Sequence, residues 1–266
     1  ENVSEYYNPY WAINENKNED EKNWFLADVT VNADITKNIK LRIKTAADIQ
    51  NTLGFDFTNK GTIGKENGSY STFYRNVKNY QHEALLSYYQ RFNLFSLNAY
   101  LGASWRDNYL YKNTSYTSSL ILHDVASLSN SAEPVQTFES LERIRRESIY
   151  GAATLGYKDW LFIDATVRND WNSTLPIKNC SFFYPSISTS VIFSEVLDIP
   201  QNILTLGKLR GSWAKVGNGT SFNQLYNNYS YSGIFNTIPT FELGSRLKSS
   251  VLKPETTFTT ELGVDL

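Results

Sequence analysis

Few side chains of this 266-residue chain stand at spacings that do chemistry. His82 and His123 lie about forty residues apart with no partner motif, and the single cysteine, Cys180, can form neither an internal disulfide nor a zinc cage. The stretch Gly61-Thr62-Ile63-Gly64-Lys65-Glu66 shares only its Gly-Lys pair with a phosphate-binding loop, and Gly-x-Ser-x-Gly, HExxH and paired cysteines are all missing. The sequence reads as that of a non-enzyme without catalytic, metal or cofactor residues, a carboxylate pair of the glycosidase kind being the one option that counting leaves open. The residues best suited to bind something are aromatic. Tyr70, Tyr74 and Tyr80 fall in one long polar stretch with Phe73, Tyr109, Tyr111 and Tyr116 in a second, and Tyr226, Tyr229 and Tyr231 in a third with Phe235. Flat rings beside Asn and Ser donors suit sugar or peptide recognition, although rings in long loops equally pack against one another to order the loop. Arg143, Arg145 and Arg146 could meet phosphates of lipopolysaccharide or an acidic partner, with Glu139, Glu142 and Glu147 nearby to neutralise them.

The elements that position these residues show a period of two. From Trp24 to Ile35, Phe25, Ala27, Val29, Val31, Ala33 and Ile35 alternate with Leu26, Asp28, Thr30, Asn32 and Asp34, and after Thr36-Lys37-Asn38 the pattern resumes with Ile39, Leu41 and Ile43. Further pairs cover about 82–91 with 94–106, 149–157 with 161–170, and 186–193 with 206–217, and a ninth strand runs from Thr256 to Leu266. Short turns at 36–38, 92–93 and 158–159 alternate with long polar links at 50–81, 107–147, 172–182 and 218–255. Short and long links therefore fall on opposite ends of the strands. That asymmetry, with strands of about ten residues, predicts an all-β, antiparallel, up-and-down transmembrane barrel rather than a soluble sandwich.

Composition agrees once it is split by face. Mean hydropathy of −0.40 averages a lipid-facing parity with a water-facing one, and Arg42, Arg106, Asp164 and Arg168 sit on the polar parity. No apolar run is long enough for a membrane helix. Lys+Arg 25 against Asp+Glu 27 offers no pull toward nucleic acid. Trp160 beside its turn and Trp171 at the far strand end are expected in the two aromatic girdles, where a ring is apolar and its N–H is wet. Pro176, Pro185, Pro239 and Pro254 are expected outside strand interiors or at strand beginnings. Nine strands cannot close, so the 266 residues are expected to be one partial barrel domain of a larger wall.

Several segments resemble the SusC/RagA family of TonB-dependent outer-membrane transporters of the Bacteroidota. They are Tyr7-Asn8-Pro9-Tyr10-Trp11, Gly156-Tyr157-Lys158-Asp159-Trp160, Arg168-Asn169-Asp170-Trp171-Asn172-Ser173-Thr174-Leu175-Pro176, Phe183-Tyr184-Pro185-Ser186, Leu209-Arg210-Gly211-Ser212-Trp213-Ala214-Lys215-Val216-Gly217-Asn218, Leu252-Lys253-Pro254-Glu255 and Glu261-Leu262-Gly263-Val264-Asp265. They occur in the family's order. The resemblance implies a 22-stranded barrel with an N-terminal plug, a TonB-contacting segment and a SusD-like surface lipoprotein as lid. It also implies import of glycan or peptide cargo across the bacterial outer membrane, driven through TonB, with the plug and the TonB segment outside this chain. Two other readings remain at this point: a passive porin-type or other non-importing barrel, and a soluble all-β carbohydrate-binding module.

Overall fold

The computed structural model describes residues 8–200 and 202–266, so Tyr7 of the first motif lies outside the described residues. A short helix α1 (Pro9–Glu15) opens the described chain, with the Asn8 side chain accepting from the Tyr10 N–H at 3.0 Å and Pro9 at its first turn. Eleven strands follow: β1 (Lys17–Asp34), β2 (Ile39–Thr58), β3 (Ser69–Phe92), β4 (Phe95–Thr117), β5 (Gln136–Tyr157), β6 (Leu161–Asn172), β7 (Ser181–Ile192), β8 (Lys208–Asn218), β9 (Tyr229–Phe235), β10 (Ile238–Leu243) and β11 (Glu255–Asp265). Nine of them form one sheet in the order β1-β2-β3-β4-β5-β6-β7-β8-β11, the meander that the sequence predicts. β9 and β10 pair only with each other. Among the described residues, no helix is long and apolar enough to cross a membrane.

Register fixes the two faces. β5 pairs β6 with Ala153 opposite Ala165, Leu155 opposite Ile163 and Gly151 opposite Val167, while Tyr150 meets Arg168 and Thr154 meets Asp164. β7 continues both rows, Ile187 opposite Ala165 and Ser188 opposite Asp164. β11 closes the set on β8 with Leu262 opposite Gly211 and Val264 opposite Leu209. One face is therefore apolar across β5 to β11 and the other polar, because side chains alternate along every strand and register keeps like with like. The turn between β5 and β6 holds Lys158 at φ 48° and Asp159 at φ 59°, two left-handed residues whose twist matches a two-residue hairpin. Pro185 departs from expectation by lying within β7, opposite Val167. Pairing of β7 with β8 begins only at Ser186, so the N–H that proline lacks has no ladder partner to lose.

The strands are longer than expected. β2 to β5 run for 20, 24, 23 and 22 residues, so most of 50–81 and 107–147, expected as loops, is strand, and true loops remain only at 59–68 and 118–135. The reason is that Asn, Ser, Thr and Tyr occupy both parities there, and a strand wetted on both faces carries no hydropathy period. Phe193, expected in a strand, opens the one-turn helix α2 (Phe193–Val196).

The chain divides into two compact units. One takes the described part of Glu1–Ala27 with Ala46–Tyr80 and Asn108–Arg143, and buries Phe57, Leu120, Asn59, Thr62 and Asn130. The other takes Asp28–Thr45, Gln81–Asp107 and Ile144–Leu266, and buries Leu175, Ser148, Asp170, Asn172 and Thr174.

Candidate functional site

In the second unit the two tryptophans mark the ends of the apolar face. Trp160 follows the β5–β6 turn and stands edge-on to Tyr157 at 5.7 Å, while Trp171 ends β6 opposite Glu147 and Ser181. They are eleven positions apart, which at about 3.4 Å per residue and a tilt of about 45° projects to about 26 Å, the height of the apolar band of a transmembrane barrel. Between them the apolar parity carries Ile163, Ala165 and Val167 on β6 and Leu155, Ala153, Gly151 and Ile149 on β5, most of it exposed.

The polar face carries a belt of paired groups. Arg42 Nη2 bonds Glu83 at 3.1 Å. Tyr150 stands edge-on to Tyr100 at 6.2 Å and under the Arg168 guanidinium at 5.0 Å. Arg168 donates from Nε to Asp170 and from Nη2 to Ser148, each at 2.8 Å, and the Tyr184 hydroxyl donates to the other oxygen of Asp170. Register makes this belt, since Arg168 lies opposite both Tyr150 and Tyr184. A second row follows: Asp164 accepts from Thr154 at 2.5 Å and from Ser188 at 3.4 Å, and Arg210 pairs Asp265 at 3.3 Å. Beside it, Ser188, Ser190, Ser212, Arg210 and Glu261 line a polar trough of about 360 Å³. Neutralised charges and small hydroxyls suit a wet passage that forms hydrogen bonds without a strong net field. The parity of Arg42, Asp164 and Arg168 was legible in the sequence; their partners were not, because partners are chosen by register.

Eight of the nine candidate tyrosines stand in strands rather than loops, six of them in β3 and β4 and two in β9. Tyr70 packs on Phe55 at 5.8 Å, Tyr74 lies 6.1 Å from Tyr111 and donates to Asn51 at 3.2 Å, and Tyr111 donates to Glu139 at 3.1 Å. Lys78 covers Tyr109 at 5.4 Å. Along β3 and β4 the alternation places Tyr70, Tyr74, Tyr80, Tyr109 and Tyr111 on the parity of Trp105 and the apolar face. Tyr116 has the other parity, stacked on Phe138 at 5.9 Å and donating to Gln136 at 3.0 Å. Tyr226 precedes the β9–β10 hairpin and Tyr229 and Tyr231 lie on it, all three exposed, with Tyr231 edge-on to Phe241 at 6.0 Å.

The remaining groups that could do chemistry have local work. Asn59, fully buried in the first unit, donates from Nδ2 to Glu15 at 3.0 Å and to Asp124, while Asp124 returns its own N–H to Asn59 Oδ1 at 3.0 Å. His123 Nδ1 lies 2.8 Å from Asp124 Oδ2. Hydrogen bonds from His123 first and Asn59 next hold the Asp124 carboxyl below its ordinary value near 3.8. Glu15, His123 and Asp124 bring three potential ligand atoms within 4.8 Å of one another, a trio that no spacing in the sequence reveals. At Gly61–Glu66 the Gly61 N–H donates to the Glu66 carbonyl at 2.9 Å and Thr62 bridges Lys65, so the loop closes on itself. Arg145 pairs Asp107 at 3.4 Å rather than one of the expected neighbours Glu139, Glu142 and Glu147, because Asp107 comes from the neighbouring strand.

The same architecture is found in solved proteins. The chain superposes on the RagAB peptide transporter with a TM-score of 0.85 at 16% identity, over 96% of this chain and 29% of that one. RagAB as a peptide importer in its "open-open" state gives 0.80 at 16% identity, over 96% and 29%. The siderophore receptor PiuA from Acinetobacter baumannii gives 0.54 at 12% identity, over 92% and 38%. The chain thus spans about 29% of the RagAB chains that it matches. No curated protein sequence matches it. The family model described as TonB dependent receptor-like, beta-barrel matches residues 2–266, and the chain belongs to that family of transporters and receptors.

Proposed function

We propose that this chain is a section of the wall of an outer-membrane importer that carries oligomeric nutrient, peptide or glycan, with energy from TonB. The observation that carries the reading is the pair of faces: an apolar one ending at Trp160 and Trp171, and a polar one whose charges are paired in belts. Lipid and lipopolysaccharide face the first, and a wet lumen the second. The likeness to the RagAB peptide importer supports a peptide cargo and a SusD-like surface lipoprotein as partner. TonB contacts a segment outside these residues. Tyr226, Tyr229 and Tyr231, exposed on the long β8–β11 link, are the leading contacts for cargo or lid; Tyr116 shares the lumen parity, and Tyr70, Tyr74, Tyr80, Tyr109 and Tyr111 have the opposite one.

Deleting the full-length gene and measuring uptake of labelled oligopeptides and oligosaccharides tests this. The expected result is loss of uptake of one class, restored by the gene and abolished when TonB is removed or the proton gradient is collapsed. Uptake that persists without TonB supports the porin-type reading instead.

A further inference from the structure

In the first unit, segments remote in sequence deliver metal-ligating side chains to one point. Glu15 is the last residue of α1, and Asn16 after it is clipped to the loop at 59–68: its Oδ1 accepts from the Asn59 N–H at 2.9 Å and from the Thr62 hydroxyl at 3.2 Å. His123 and Asp124 come from the loop at 118–135. That loop is fixed around the buried Asn130, whose Nδ2 donates to the Leu122 and Val125 carbonyls at 2.9 Å each and whose Oδ1 accepts from the Leu122 N–H at 2.8 Å. Asp124 is held left-handed at φ 61°. The His123 ring stands edge-on to Trp11 at 6.3 Å, and Trp11 in turn donates to the Thr62 hydroxyl at 3.0 Å.

The two carboxylates are forced together. Asn59 Nδ2 donates to Glu15 Oε2 and to Asp124 Oδ1, so a neutral buried side chain holds both anions, and the two carboxyl groups come within hydrogen-bond reach of each other. Like charges at that separation both stay ionised only when a cation lies between them. Lys60 does not supply it, because its ammonium donates to the Leu120 and Ile121 carbonyls at 2.7 and 3.2 Å. What meets the carboxylates is the His123 ring, with Nδ1 2.8 Å from Asp124 Oδ2. One imidazole and two carboxylates are donors for an ion of the zinc class, whereas calcium and magnesium take oxygen throughout. Tetrahedral ligands at zinc bond lengths stand about 3.3 Å apart. The trio already lies within 4.8 Å, a spread that side-chain rotation closes. Asn59 occupies the outer position, orienting the carboxylates as outer partners of metal sites do.

We propose that Glu15, His123 and Asp124 bind one zinc ion and so join α1 to the loop at 118–135, beyond the apolar band of the wall. Neutral His123 and the two ionised carboxylates supply three ligands, and water completes the tetrahedron. The ion converts the repulsion between the carboxylates into a shared attraction, and it ties together segments that are otherwise linked only through Asn59, Asn16 and Trp11. The site goes beyond the transport reading and does not depend on the cargo.

The test uses the full-length protein in detergent, stripped with a chelator and titrated with zinc chloride at neutral pH. Calorimetry reads binding, and hydrogen exchange reads residues 9–15 and 121–125. The expected result is a saturable zinc-binding step that slows exchange in both segments together, with calcium chloride at the same concentration leaving both unchanged. His123→Gln and Glu15→Gln, placed on different segments, should each weaken that step about tenfold or more and remove the joint protection. Both substitutions are conservative and lie outside the strands, so the heat-modifiable gel mobility of the folded barrel should be unaltered. Zinc that leaves exchange in the two segments unchanged, protection that survives both substitutions, or equal protection by calcium overturns the site. The importer reading stands or falls separately, on uptake.

Discussion

Gly102 and Tyr150 are complementary across β4 and β5. A Cβ at Gly102 would fall 2.5 Å from Tyr150 Cε2, so the missing side chain is what lets the phenol lie flat over β4, where the Arg168 guanidinium covers it at 5.0 Å. The glycine, the ring and the cation stand on three successive strands and act as one packed unit of the polar face.

Gly102→Ala is therefore expected to destabilise the folded barrel by about 1–3 kcal/mol, the usual range for overpacking. Tyr150→Leu should relieve part of that loss. Thermal unfolding of both single variants and the double variant, followed by heat-modifiable mobility, gives the coupling, and additive effects would show that the two residues do not interact.

Arg168 holds Asp170, which is 6% exposed, through Nε at 2.8 Å. Arg168→Met leaves that carboxylate with the Tyr184 hydroxyl alone, at an expected cost of about 1–3 kcal/mol given that the arginine itself is partly solvated. Removing both charges in Arg168→Met with Asp170→Asn should be milder than Arg168→Met by itself, because the destabilising species is the unpaired buried charge. Urea titrations in lipid vesicles read the order of the three.

Trp171→Ala should lower stability in lipid bilayers by about 1–2 kcal/mol, and Trp171→Phe by less, since the ring's apolar area is kept and only the indole N–H is lost. Equal losses for the two substitutions would mean that the N–H, not the ring, anchors the strand end.

The loop carboxyl of Asp124 titrates below 3.8 in the folded protein, held by His123 and Asn59. A carboxyl whose folded value is depressed adds stability that is fully present above its unfolded value and disappears as pH falls through the folded one. Hydrogen exchange around 121–125 is thus expected to be flat from neutral pH down to about 4, after intrinsic exchange rates are divided out. It should then rise as pH falls further. Asp124→Asn should show the faster exchange above about pH 4, and the two proteins should converge as pH falls further.

Parity separates the candidate tyrosines. Tyr229→Ala and Tyr231→Ala are expected to lower cargo uptake or lid association severalfold, whereas Tyr74→Ala and Tyr111→Ala, on the parity of the apolar face, should leave uptake unchanged. Uptake measured with equal surface levels of each variant checks this.

The sequence by itself determined the crossing part of the wall. Phe25 to Ile35, Phe95 to Trp105 and Leu161 to Val167 alternate because a strand between lipid and water must be apolar on every second residue, and Lys158-Asp159 marks a turn because a two-residue hairpin there requires left-handed residues. The same logic failed where lipid ends. From Ala46 to Thr58 and from Asn108 to Thr117 water on both faces removes the period, and strand continued where loop was expected. Only the tertiary structure decided partners. That Arg168 meets Tyr150, Asp170 and Tyr184, and that Asp107 rather than a neighbouring glutamate of its own strand takes Arg145, follows from register between strands, which a one-residue slip would overturn without altering any strand's own pattern. The loop trio of Glu15, His123 and Asp124 is likewise invisible in the chain, since its members are gathered by a buried asparagine, Asn59, from segments more than forty residues apart.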